Sequence, residues 1–143
     1  MSLEEIYTEL IAEESRNPAH RRHLEHPTVV LKGRNPSCGD EIALELFVKD
    51  GTIESAAFTG VGCAISQAST SLMIDLIEGQ SVEKAAHLIA LFLAMIKGEI
   101  EDDDALEELG DAAALKSIAT LPARVKCAVL SWRTLDEALH GGK

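Results

Sequence analysis

The chain has 143 residues, 46% hydrophobic and 26% charged, which suits one domain with a real core and excludes general disorder or a fibrous repeat. A formal net charge of −11 argues against non-specific binding to nucleic acid or an anionic membrane surface. Aromatics supply only 3%, so the core is expected from Leu, Ile, Val and Ala.

Leu3, Ile6, Tyr7, Leu10 and Ile11 recur at three- and four-residue steps and predict an amphipathic helix over 3–14. The opening Met1-Ser2-Leu3-Glu4-Glu5 lacks a basic stretch before an apolar run, so no secretory leader is expected. Residues 15–27 are polar and broken by Asn17-Pro18 and His26-Pro27, which predicts a loop. Its His20, His23 and His26 read as solvated side chains rather than a metal cluster, because no helix there would align them.

Thr28 to Lys32 is short and β-branched, a strand pattern. Gly33 to Asp40 then packs turn formers densely and predicts a loop. Ile42, Leu44, Leu46 and Val48 alternate with Glu41, Ala43, Glu45 and Phe47, a half-buried strand. Asp50-Gly51 signals a two-residue hairpin turn, and Thr52 to Thr59 is the returning strand.

After Gly60-Val61-Gly62 the period changes to that of a helix from Cys63 to Glu78, closed by Gly79. Ser81 is placed as the N-cap of a helix reaching Lys97, with Gly98 as its stop. The apolar run Ala85 to Ile96 is too short to span a bilayer and reads as a buried helix, with His87 as a hydrogen-bonded core residue.

The acid excess is local. Glu99, Glu101, Asp102, Asp103, Asp104, Glu107, Glu108 and Asp111 fall within 99–111 without a base, and this segment reads as a solvated acidic insertion that interrupts the core pattern. A short helix follows around Ala112 to Ile118, and Leu121-Pro122 opens the last helix, running to about Leu139. Helix, antiparallel strands, then helices imply an α+β fold: one domain over 1–143, a small antiparallel sheet with helices packed on one face.

Three cysteines, an odd number at wide spacing, do not form a disulfide framework and suit a reducing cytoplasm. Cys38 lies in the turn-rich loop, and Cys63 sits where a strand hands over to a helix, among unpaired amides that favour a thiolate. On the last helix Val125, Ala128, Val129, Trp132, Leu135 and Leu139 form the apolar stripe, and Cys127 falls about 130° from its centre. Either these are three unrelated semi-buried thiols, or they converge as thiolates around a cation such as Zn²⁺ or an iron–sulfur centre. Asp40, two residues after Cys38, is the nearest acceptable fourth ligand and a harder, more exchangeable one.

Asn35-Pro36-Ser37-Cys38-Gly39-Asp40, Gly60-Val61-Gly62-Cys63-Ala64-Ile65-Ser66 and Arg124-Val125-Lys126-Cys127-Ala128 together resemble the U-type iron–sulfur assembly proteins, the IscU and NifU N-terminal superfamily. The details resemble the SufU branch more than the IscU scaffold branch. Scaffold-type members carry a histidine immediately before the third cysteine, where this chain has Lys126, and a Leu-Pro-Pro-Val-Lys motif, where it reads Leu121-Pro122-Ala123-Arg124-Val125-Lys126. The long interval from Cys63 to Cys127, which includes the acidic segment, is also SufU-like.

The resemblance implies a zinc site of Cys38, Asp40, Cys63 and Cys127, with Cys38 as the sulfur acceptor. It implies a sulfurtransferase that takes persulfide sulfur from a pyridoxal-phosphate cysteine desulfurase, whose histidine displaces the acceptor thiolate from zinc. The sulfur then passes towards a SufB-containing scaffold complex. Arg124 matches a basic residue of SufU-like members and is expected to orient Asp40 or stabilise the developing thiolate. The rival expectation is a scaffold whose same ligands hold a transient 2Fe–2S cluster or iron, against which Lys126 counts as a poor substitute for histidine.

Overall fold

The computed structural model describes residues 3–36, 39–100 and 102–141, so Cys38 lies outside the described residues. In chain order the elements are α1 (Leu3–Ser15), β1 (Val29–Asn35), β2 (Asp40–Lys49), β3 (Thr52–Val61), α2 (Ala64–Ile77), α3 (Val82–Ile96), α4 (Asp103–Leu106), a 3₁₀ helix (Glu107–Ile118) and α5 (Pro122–Gly141).

The three strands form one antiparallel sheet in the order β1-β2-β3. Asp50 and Gly51 both take positive φ (52° and 76°), the conformation whose twist suits a two-residue hairpin between β2 and β3. α2 and α5 lie against one face, where Ile42, Leu44, Leu46, Ala56 and Phe58 are fully buried. α1 packs on α2, and α3 packs on α5 and the 3₁₀ helix. This is the α+β fold expected from the order of elements.

β1 does not stop at Lys32. It continues through Gly33, Arg34 and Asn35, paired with Ile42, Glu41 and Asp40 of β2, so the predicted loop over Gly33–Asp40 shrinks to a short hairpin connection. Glycine stands at this strand position where a neighbouring helix approaches it closely, one of the standard reasons for glycine inside a strand. The connection is closed by the Gly39 amide, which donates to the Asn35 carbonyl at 3.0 Å, with Gly39 at φ 72°.

Glu45 also departs from its alternation. It is buried rather than solvent-facing, because segment 16–28 crosses the sheet there: His23 Nδ1 lies 2.6 Å from one carboxylate oxygen, and the Leu24 amide donates to the other at 2.9 Å. The same segment is fastened to α2 by His20 with Asp75 and by Arg21, which donates to Gln67. The three histidines are therefore not all solvated, and they do not converge: His20 and His23 serve separate carboxylates.

α2 begins at Ala64, and α3 starts behind Ser81, whose hydroxyl accepts from the Lys84 amide at 3.0 Å. His87 is exposed on α3 rather than buried, and it pairs with Glu108 at 2.8 Å. Beyond it, Leu106, Leu109, Ala112, Leu115 and Ile118 are buried at every third position. That step is the 3.0-residue turn of a 3₁₀ helix, so the chain stays anchored to the core beneath its acidic outer side. Gly110, at φ 55°, kinks the segment. Trp132 takes its expected core place, stacked on Phe92 at 4.0 Å between ring centroids. Among the described residues no helix is long and apolar enough to cross a membrane.

Candidate metal centre

Asp40 is the first residue of β2, and the period of two that sends Ile42, Leu44 and Leu46 inward sends its carboxylate inward too, fully buried. A buried carboxylate needs hydrogen bonds or a cation. Its Oδ1 accepts the backbone N–H of Cys63 at 2.9 Å.

Cys63 is the N-cap of α2, in extended conformation, with no side-chain cap of its own and no acidic residue in the first turn. Asp40 supplies the negative charge that the positive end of the helix lacks locally. The delivery of Cys63 to Asp40 depends on two glycines. A Cβ at Gly60 (φ 136°) would lie 2.1 Å from the Glu41 carbonyl oxygen, so only glycine lets β3 run so close to β2. A Cβ at Gly62 would lie 2.8 Å from Asp40 Oδ1 and 3.2 Å from Ser66 Oγ.

Cys127 comes from the second turn of α5, is 6% exposed, and has its thiol 3.8 Å from the Ala123 carbonyl. Its displacement from the apolar stripe of α5 turns it towards the start of β2 and α2. One carboxylate oxygen of Asp40 and the sulfurs of Cys63 and Cys127 all lie within 4.8 Å of one another, with Cys63 Sγ 4.0 Å from Asp40 Oδ2. Cys63 is open to solvent, while the other two are buried. Three of the four expected ligands are thus brought together, and the fourth, Cys38, lies outside the described residues.

Three candidate ligand atoms gathered this closely, two of them on buried residues, form a set that a single cation can bridge. Two soft thiolates and one carboxylate oxygen fit zinc, and thiolates also suit iron–sulfur chemistry. The donor set therefore fits the metal that the sequence led us to expect.

Arg124 is exposed on the first turn of α5, one turn before Cys127. With Ile11, Ile65, Ile118 and Leu121 it lines a largely apolar cavity of about 370 Å³. No hydrogen bond joins it to Asp40 among the described residues. Lys126, next to Cys127, is exposed. The sequence reading missed Gly62 and Ser66 as parts of the site; their signal was the glycine one residue before Cys63 and a serine one turn after it.

Comparison with known proteins places this arrangement. The family profile of the NifU-like N terminal domain matches residues 6–140. The iron–sulfur cluster assembly scaffold protein IscU of Thermotoga maritima is 43% identical, over 94% of this chain and 92% of its own length. The zinc-dependent sulfurtransferase SufU of Bacillus subtilis is 37% identical, over 96% of this chain and 92% of its own. A crystal structure of a putative iron–sulfur cluster assembly scaffold protein for the SUF system from Fervidobacterium islandicum superposes with a TM-score of 0.87 at 36% identity, covering 94% of this chain and 97% of that one.

Proposed function

The chain belongs to the NifU-like N-terminal domain family, with the IscU and SufU proteins of iron–sulfur cluster assembly, and from that premise we propose that it is a zinc-dependent sulfurtransferase. It accepts persulfide sulfur on Cys38 from a pyridoxal-phosphate cysteine desulfurase and passes it towards a SufB-containing complex in the cytoplasm. The convergence of Asp40, Cys63 and Cys127 carries this reading. Cys38 joins it through the chain, being only two residues from Asp40, a reach of about 7 Å at most.

Cys38, Asp40, Cys63 and Cys127 would hold the zinc, which supplies positive charge that keeps thiols deprotonated and has no redox chemistry of its own. The Cys63 N–H fixes the carboxylate of Asp40 at the base of the site. The Cys38 thiolate attacks the outer sulfur of the desulfurase persulfide. A new S–S bond forms on Cys38, the S–S bond of the desulfurase breaks, and its cysteine leaves as a thiolate, with no net oxidation. Arg124, exposed beside the apolar cavity, offers its guanidinium to the developing negative charge. Segment 99–111 is, on this reading, an acidic insertion within the single domain 1–143.

The experiment is alanine production by the cognate desulfurase with excess cysteine and a reductant, with and without the zinc-loaded protein. A large saturable rise that Cys38→Ser abolishes supports sulfur transfer. No rise defeats it. The second reading is a scaffold that carries a transient 2Fe–2S cluster as cargo, favoured by the higher identity to the Thermotoga scaffold protein. An anaerobic absorbance spectrum after cluster reconstitution separates the two.

A further inference from the structure

Ser66 lies in the first turn of α2, 1% exposed, and its hydroxyl has no hydrogen-bond partner among the described residues. The other buried hydroxyls of the helix are used: Ser69 donates to the Ala128 carbonyl, Thr70 to the Ser66 carbonyl, and Ser71 to Glu14, while the Gln67 amide accepts from Arg21 and leaves its own Nε2 unpaired. A buried hydroxyl left unpaired is costly, and Ser66 carries the one hydroxyl of this helix in that state among the described residues.

The point where a Gly62 Cβ would sit is 2.8 Å from Asp40 Oδ1 and 3.2 Å from Ser66 Oγ. The carboxylate and the hydroxyl therefore both border the same point, within about two hydrogen-bond lengths of each other. Glycine at 62 leaves the space between them clear of a side chain.

We propose that Ser66 is a positioning residue for Asp40, its hydroxyl donating to the carboxylate when Asp40 serves as a metal ligand. The inference rests on the reading of Asp40 as a ligand. Metal-bound carboxylates are oriented by outer hydrogen bonds, and loss of one typically costs about 10–100-fold in metal affinity. The Cys63 amide that holds Oδ1 belongs to a residue of the cluster itself, at the very end of α2. Ser66 is the third residue of that helix, and its hydroxyl is a side-chain donor separate from the Cys63 amide.

The test is zinc affinity of the full chain by competition with a chromophoric chelator, together with the melting temperature after the metal has been stripped. Ser66→Ala is expected to bind zinc about 10–100-fold more weakly. Stripped Ser66→Ala is expected to melt at or above the wild type, because an unpaired buried hydroxyl has been removed. Unchanged or tighter zinc binding overturns the inference. So does a stripped variant that melts below the wild type, which would mark a merely structural serine. An Asp40→Asn variant that binds zinc as tightly as the wild type, or a wild type that binds none, instead removes Asp40 from the site and takes the inference with it.

Discussion

Gly33 of β1 and Thr134 of α5 meet with no room for another carbon: a Cβ at position 33 would lie 2.0 Å from Thr134 Oγ1 and 3.2 Å from its Cβ. Thr134 itself is buried, its hydroxyl donating to the Leu130 carbonyl at 2.8 Å. This contact sets how closely the helix that carries Cys127 sits on the sheet that carries Asp40. Gly33→Ala is expected to cost about 1–3 kcal/mol, several degrees in Tm, through overpacking. Thermal unfolding checks the loss, and Gly33→Ala with Thr134→Ala should recover part of it. Full stability in the single variant would show that α5 shifts without penalty.

Gly62→Ala separates site from fold. Position 62 does not require positive φ, so alanine is acceptable to the backbone, while its Cβ would press on the Asp40 carboxylate. Zinc affinity should fall about 10-fold or more with the circular dichroism spectrum unchanged. Wild-type affinity would mean that the carboxylate is not held where the metal binds.

Glu108 of the 3₁₀ helix takes hydrogen bonds from Lys84 at 3.2 Å and from His87 at 2.8 Å, both on α3. The Lys84 ammonium first, and His87 second, hold its carboxyl below the usual carboxylate range. A folded-state pKa below the unfolded one stabilises the protein above that range and loses its effect as pH falls through the lowered value. Glu108→Gln should therefore reduce Tm slightly at pH 7, and the difference should close as the buffer is taken below about pH 4. A gap that persists in acid would assign the effect to packing instead of charge.

Stripping zinc with a chelator should lower the melting temperature, since metal affinity adds to folding free energy. The emission of Trp132, the only tryptophan, should stay unchanged below the transition. Its ring is fully buried on Phe92, and its N–H reaches Ser69 Oγ at 3.0 Å, so neither of these two contacts is made through a thiol. A red shift on stripping would show that the core depends on the metal.

Features written in local backbone chemistry were legible in the sequence. The Asp50-Gly51 turn, the Ser81 cap and the placement of Cys63 at a helix start all follow from neighbours within a few residues. What escaped was set by distant partners. Gly33 reads as a turn former until Thr134 is seen against it, and Glu45 reads as solvent-facing until His23 and Leu24 close over it. His87 sits in an apolar run with no gaps, so no period told which side faced water. Leu106 to Ile118 repeats every three residues and looks weak when judged against a period of 3.6. Of the site, the sequence showed three cysteines at structural edges and an aspartate beside one of them, but the meeting of Asp40 with Cys63 and Cys127 is a tertiary fact.

Asp40 pairs with Asn35 at the very end of the β1–β2 ladder, one residue before Glu41, which faces the opposite side of the sheet. Strand side chains alternate strictly, so a slip of a single residue in that pairing would turn Asp40 out to solvent and bring Glu41 in. A glutamate would then stand where the shorter carboxylate meets the Cys63 amide. The cluster thus works as a proofreading mark for the hairpin: only a chain folded in the correct register can assemble it.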